Sequence, residues 1–252
     1  VTRWNALILA GSRDEIDPVA RAAGAAHKAL VEVGGEPMLA RVIDAVKAAG
    51  AGRVAISSND EDTGRLAALR GAEVLPAAEG PSESARSGFA ALGSPMLLTT
   101  ADHALLRPAW IESFIKDVPD DCDAAILLAR RADIEAAVPG NKRTYLRFAD
   151  GEWSGCNLFY LRGPSAARGL ALWRSVERDR KRPWKIVARI GPRLLLAYLF
   201  GRLTLARALA SLGGTAGLRV AAVPARDGLA AVDVDKPADL ELVRALLRDG
   251  AA

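Results

Sequence analysis

At 252 residues, with 50% hydrophobic and 25% charged side chains, the chain can bury a sizeable core as one large α/β domain, with or without an insertion. Its formal charge of +4 is local: residues 174–207 hold ten Lys and Arg against Glu177 and Asp179, a net +8, which leaves −4 for the rest. No run reaches the ~18 apolar residues of a spanning helix, Val1–Asn5 lacks a signal-peptide profile, and Cys122 and Cys156 lack metal-ligand spacing, so a cytoplasmic protein with free thiols is expected.

The apolar run Ala6–Ala10 is too short for a helix and ends in Gly11-Ser12, so it reads as a buried parallel strand delivering a small-residue turn. Backbone N–H groups can approach an anion closely at such a turn, and Arg13 and Lys28 can supply the positive charge that a triphosphate needs. Residues 37–50 are predicted helical, with Pro37 in the first turn, Met38, Val42, Ala45 and Val46 as a stripe and Gly50 as the stop. A strand over 53–57, a short helix over 61–69 and a strand over 73–75 follow. Ser82 then reads as an N-cap to a helix over 83–92, and free backbone donors at that entrance could read a nucleobase.

The fourth apolar strand, Met96–Thr100, runs into Ala101-Asp102, where a parallel sheet presents its functional edge. A carboxylate there is a candidate Mg²⁺ ligand, since Mg²⁺ is often held by one or two carboxylates plus nucleotide phosphates. His103 is expected to pack or be solvated. Residues 124–129 and 142–148 read as strands, and Ser154–Leu161 follows a turn at Ala149-Asp150-Gly151. Residues 164–212 turn helical, with helices around 170–176, over 186–200 and over 203–212. Near the end, Leu229–Val232 reads as a short strand before Asp233 and Asp235, whose spacing points both carboxylates to one side of an extended segment. A terminal helix then starts at Pro237, with Asp239 as a cap.

These pieces resemble the nucleotidyltransferases of the MobA-like NTP transferase family, a branch of the glycosyltransferase-A-like fold. Leu9-Ala10-Gly11, Arg13, Lys28 and Gly35-Glu36-Pro37-Met38-Leu39 match the family's opening pattern in order, although Ser12 replaces its second Gly and the loop 14–27 is longer. Ala101-Asp102 with Leu105-Leu106 resembles the [AG]-D-x-P-L-L element, and Asp233–Leu240 resembles D-[VIT]-[DN]-x-P-x-D-L. The resemblance implies a three-layer α/β/α fold with a mostly parallel sheet. It implies metal ligation by Asp102 and Asp235, with Asp233 supporting, and a catalytic set of Arg13, Lys28 and Asp102. Ser84–Phe89 is similar to the S-V-x-x-G-L helix start that lines the cytosine pocket of cytidylyltransferases of isoprenoid precursor synthesis, which tilts the nucleotide toward CTP without excluding GTP.

The nucleotide-binding candidates are therefore Leu9, Ala10, Gly11, Ser12, Arg13, Lys28, Ser82, Ser84 and Ser87. Gly155-Cys156-Asn157-Leu158 looks like the G-x-N-[LIV] strand that shapes the acceptor pocket in related enzymes, making Asn157, with Arg143 nearby, an acceptor-binding candidate. The expected reaction is transfer of NMP from an NTP to a phosphorylated acceptor with release of pyrophosphate and Mg²⁺ as cofactor. A nucleotide-sugar glycosyltransferase and a non-catalytic nucleotide-binding or membrane-surface scaffold remain alternatives. The basic stretch beside Leu194–Phe200 fits an acceptor-side cap, a dimer face or contact with an anionic membrane; no nucleic-acid motif appears.

Overall fold

The computed structural model describes residues 3–12, 17–141, 143–178 and 191–250. β1 (Asn5–Leu9) sits inside an eight-stranded mixed sheet, with β4 (Val54–Ser57) and β6 (Met96–Thr100) in parallel on its two sides. β5 (Glu73–Leu75) pairs in parallel outside β4. Beyond β6, β9 (Gly151–Leu161) runs antiparallel to both β6 and β7 (Ala124–Arg130). β10 (Val220–Pro224) lies parallel outside β7, and β8 (Leu146–Phe148) forms a hairpin with β9. A separate small ribbon joins β2 (Glu32–Val33) and β3 (Glu36–Pro37).

Strand alternation divides the core between two faces. Ala6, Ile8 and Leu97 point into the larger core with α2 (Met38–Ala48), α5 (Pro108–Asp117) and the terminal helix α10 (Pro237–Arg248). Leu7, Met96 and Leu98 point the other way, onto α4 (Pro81–Leu92) and α7 (Ala167–Arg178). Helices thus cover both faces, the three-layer architecture expected from the alternating pattern. Smaller helices connect these parts: α1 (Pro18–Ala23), α3 (Glu61–Leu69) and α6 (Arg131–Ala137).

Three local expectations are corrected, at Ser82, at Leu229–Val232 and over 142–148. Gly80, not Ser82, is the N-cap of α4, because Pro81 takes the first helical position, where a missing N–H costs nothing. Gly88, part of the cytosine-pocket resemblance, has a packing reason: a Cβ there would stand 2.3 Å from Leu7 Cδ2, so its bare backbone lets α4 lie close on β1. Leu229–Val232 is not a strand. Residues Gly228–Ala231 form a 3₁₀ turn with Asp227 accepting the Leu229 N–H at 2.9 Å, and the strand of that region is Val220–Pro224. Of the expected strand over 142–148, only Leu146–Phe148 pairs, and Lys142 lies outside the described residues.

The expected helix over 186–200 is described from Pro192 to Leu199 (α8), and α9 spans Leu205–Thr215; Trp184 and the rest of 179–190 lie outside the described residues. At the end of α8, Leu196, Tyr198, Leu199 and Phe200 are all exposed, Phe200 by 72%. The Tyr198 ring meets Phe148 edge-on at 6.3 Å. No described helix is long and apolar enough to cross a membrane.

Candidate active site

The carboxyl ends of β6, β1, β4 and β5 border one cleft of about 1330 Å³. Each strand contributes the residues that follow it: Ala101-Asp102, Ala10-Gly11-Ser12, Ser57–Asp60 and Ala77–Pro81. The register is fixed where the loops leave the sheet, since Ala10 N–H donates to the Ser57 carbonyl (3.0 Å) and Ala101 N–H to the Leu9 carbonyl (2.9 Å).

Lys28 enters the cleft from a 3₁₀ turn whose start is held by His27 Nδ1, which accepts the Ala29 N–H at 3.2 Å. Its Nζ donates to Asp102 Oδ2 at 2.6 Å and lies 3.6 Å from Asp235 Oδ1. Burial works to lower the Lys28 pKa, but the charge and hydrogen bond of Asp102, then the charge of Asp235, outweigh it and hold the ammonium above the ordinary lysine value. Desolvation, then the charges of Asp233 and Asp102, raises the Asp235 carboxyl against the pull of Lys28. The Val234 N–H donates to the Asp102 carbonyl at 3.1 Å and ties the two acidic loops together. Asp239 caps as expected, its Oδ2 accepting the N–H groups of Asp235 and Lys236 at 3.1 and 3.0 Å.

Among the described residues, no group of three or more His, Cys, Asp or Glu could hold a metal ion by itself. The donor set still fits Mg²⁺ in company with a nucleotide. Asp102 Oδ1 is buried with no hydrogen-bond partner, Asp235 lies across Lys28 from it, and both offer the oxygen ligands Mg²⁺ prefers, with phosphate and water to complete its shell.

The third carboxylate is placed differently from expectation. Asp233 Oδ1 accepts from Arg143 Nη2 at 2.7 Å and Oδ2 from Asn157 Nδ2 at 2.6 Å, so each oxygen has a side-chain partner, and Asp233 is not among the residues that line the cleft. Arg143 and Asn157, the acceptor-binding candidates, are likewise turned onto Asp233 and do not line the cleft. Asn157 is the one non-glycine with positive φ among the described residues, at 51°, on the side of β9 where the register with β7 shifts. Asn tolerates that left-handed geometry, and here it aims the amide at Asp233. The trio therefore buttresses the segment that carries Asp235.

Leu9, Ala10, Gly11, Ser12, Lys28 and Ser84 line the cleft, whereas Arg13 lies outside the described residues. Ser87 sits on the exposed face of α4 and Ser82 is buried, and neither is among the residues that line the cleft. His103 is buried and stacked on Trp110, and burial lowers its pKa to about 4 despite the pull of Asp102, so it is a neutral packing residue. Both cysteines are free and buried, and burial pushes the Cys156 thiol up to about 12. Two parts of the cleft had no place in the sequence reading: Ser57–Asp60, whose small polar run after a strand was a usable signal, and Glu177 of α7, for which local sequence held none.

A model of the MobA-like NTP transferase domain matches residues 6–221. The chain is 32% identical over 123 residues to a 3-deoxy-manno-octulosonate cytidylyltransferase of Nitrobacter winogradskyi; the match spans 44% of this chain and 48%, about half, of that relative. Among solved structures, a hypothetical transferase from Thermus thermophilus superposes with TM-score 0.82 and 30% identity over 95% of this chain and 100% of that one. A CMP:2-keto-3-deoxy-manno-octonic acid synthetase complexed with CTP (TM-score 0.60, 99% of this chain and 100% of that one) shares the fold at 17% identity. So does a nucleotidyl transferase from Methanothermobacter thermautotrophicus, at TM-score 0.59 and 17% identity over the same shares.

Proposed function

Because the chain belongs to the MobA-like NTP transferase family, we propose that it is a Mg²⁺-dependent nucleotidyltransferase that moves NMP from an NTP, CTP in the first place, to a phosphorylated acceptor. The observation that carries this reading is the Lys28 ammonium held between Asp102 and Asp235 at one end of a cleft with room for a nucleotide. The preference for CTP is supported by the likeness to a cytidylyltransferase, and GTP is the second choice.

In the reaction an acceptor phosphate oxygen attacks the α-phosphorus, the bond to the bridging α–β oxygen breaks, and pyrophosphate leaves with the electron pair. The attacking oxygen is already an anion at neutral pH, so no general base is required. The chain's work is positioning and charge neutralisation. Gly11 and Ser12 offer backbone to the phosphates, and Lys28 exchanges part of its pairing with Asp102 for the triphosphate. Asp102 and Asp235 would hold Mg²⁺, which on binding neutralises phosphate charge and orients the leaving group. Arg143 and Asn157 act through Asp233 by fixing the Asp235 segment.

We read the whole chain as one nucleotidyltransferase domain, with residues 164–212 as an acceptor-side cap. The exposed apolar end of α8 lies beside the exposed Arg193, Arg202 and Arg207, none of which makes an ion pair among the described residues. That composition fits an anionic membrane surface.

The test is pyrophosphate release with CTP, GTP, UTP or ATP, Mg²⁺ and a pool of phosphorylated metabolites, on wild type and Asp102→Ala. Release that needs both an acceptor and Mg²⁺ and falls by about 10³-fold or more in the variant supports the reading. Binding of a nucleotide sugar but no triphosphate would transfer the site to glycosyl transfer, and binding of neither would leave a scaffold.

A further inference from the structure

Lys28 is the one cation that lines the cleft among the described residues, and its ammonium stands at the end of a flexible stem. Where Nζ can go therefore depends on how firmly the backbone beneath it is held. That backbone is a three-residue 3₁₀ turn, Lys28–Leu30, which is too short to hold itself by a repeating ladder. Two main-chain bonds close it, from the Leu30 N–H to the His27 carbonyl at 3.0 Å and from the Val31 N–H to the Lys28 carbonyl at 3.1 Å. The third bond comes from a side chain. His27, in extended backbone geometry, accepts the Ala29 N–H on Nδ1 at 3.2 Å. Both residues are buried, so losing Nδ1 would leave a buried donor unpaired.

The histidine is kept in the form that accepts. Burial holds its ring below the ordinary histidine value, and the charge of Lys28 works the same way, against the pull of the Asp60 and Asp17 carboxylates. Nδ1 therefore carries no proton at neutral pH. Each of those two carboxylates has a cap of its own to make: Asp17 Oδ1 accepts the Val19 and Ala20 N–H groups at 2.8 and 3.3 Å ahead of α1, and Asp60 Oδ1 the Thr63 N–H at 2.8 Å ahead of α3. Neither draws the imidazole away from Ala29.

A turn that can open leaves Lys28 with more than one placement, and the one between Asp102 and Asp235 is the one that serves a triphosphate. The apparent affinity then scales with the fraction of molecules that hold it. We propose that His27 is a positioning residue whose Nδ1 cap on Ala29 keeps the Lys28 ammonium in the cleft and so sets the affinity for triphosphate, acting through Lys28 rather than on the nucleotide. This inference rests on the nucleotide reading of the cleft.

The experiment measures dissociation constants of CTP, GTP, UTP and ATP with Mg²⁺ on the full wild-type chain. The tightest of the four is then measured on His27→Ala, His27→Asn, Lys28→Ala and the double variant His27→Ala with Lys28→Ala, with the melting temperature of each. His27→Ala should bind about 5- to 10-fold more weakly, the worth of one cap. His27→Asn should stay within about 2-fold of wild type, because its side-chain oxygen takes the place of Nδ1 and accepts the N–H two residues on. In the Lys28→Ala background, His27→Ala should cost less than about 2-fold, since no ammonium is left to position. An Asn variant as weak as the Ala variant, or an undiminished loss in the Lys28→Ala background, would mean that the ring touches the nucleotide itself and would overturn the proposal. A lower melting temperature in His27→Ala at unchanged affinity would make the cap a stability device alone and overturn it too. Those outcomes leave the nucleotide reading standing, whereas a wild type that binds no triphosphate takes down both.

Discussion

At the scale of single residues, the site concentrates like charge, and among the described residues that line the cleft one ammonium, that of Lys28, offsets it. Asp235 illustrates the consequence: its pKa is raised, so its charged form costs folding stability. The folded carboxyl holds its proton to higher pH than the unfolded one, so this cost is absent below the unfolded value of 3.8, grows as pH rises through it and is complete above the folded value. Because the Asp235 side chain is 71% exposed, solvent screens most of this cost, and Asp235→Asn should melt higher than wild type at pH 7 by no more than about 1 °C, with the difference vanishing by acidic pH. Scanning calorimetry across pH checks it, and a lower melting temperature at pH 7 would refute it. Gly11 makes the opposite case, a residue whose smallness packing does not require. Among the described residues, a Cβ there would meet only Ala77 Cβ, at an ordinary 3.5 Å. Gly11→Ala should keep the wild-type melting temperature within about 1 °C, yet bind triphosphate about 10-fold more weakly, because the methyl stands where backbone must approach the anion. Titration calorimetry beside a melting curve separates these two effects.

At the scale of elements, each secondary structure brings in one part of the site and is locked by a neighbour. α4 is pulled onto β1 by the missing side chain of Gly88, and the 3₁₀ turn before Asp233 is fixed by Gly228, where a Cβ would stand 2.1 Å from the Asp133 carbonyl oxygen. α8 is the exception, since its end stays open to solvent. On β8, Leu146 and Phe148 share a face, and Phe148 touches Tyr198, so the half-exposed Leu146 extends the apolar patch beside Arg193 and Arg202. Vesicles containing phosphatidylglycerol should sediment the protein at low salt and release it at high salt, since about 1 kcal/mol per basic residue near the surface is screened within a Debye length. Leu199→Glu with Phe200→Glu should abolish that binding without lowering the melting temperature. No sedimentation at low salt would dismiss the membrane as a partner.

At the scale of the whole molecule, the active cleft is the seam along which four strand ends meet, so a ligand that spans it couples β6 to β5 and stabilises the fold as a unit. At about 100 times its dissociation constant, CTP with Mg²⁺ should add about 2.7 kcal/mol, or about 5–10 °C of melting temperature in a chain of this size. The shift should shrink when Mg²⁺ is chelated. A full shift without metal would separate nucleotide binding from the carboxylates and overturn their assignment.

The sequence by itself determined the strand-and-turn elements that carry the chemistry. Apolar runs too short for helices end in Gly11 and in Asp102, and such ends fall on the carboxyl edge of a parallel sheet wherever the strands pair. The alternation of strands and helices likewise determined the layered fold, because each pattern has one face to bury. Only the tertiary structure decided that Lys28 bridges Asp102 and Asp235, that Asp233 is taken up by Arg143 and Asn157, that Ser87 faces away, and that Glu177 reaches the cleft from α7. It also turned Leu229–Val232 from a strand into a turn. The physical reason is common to all of these: local spacing sets which way a side chain leaves its own strand or helix, but its partner is chosen by packing between elements far apart in the chain, about which a periodic pattern says nothing.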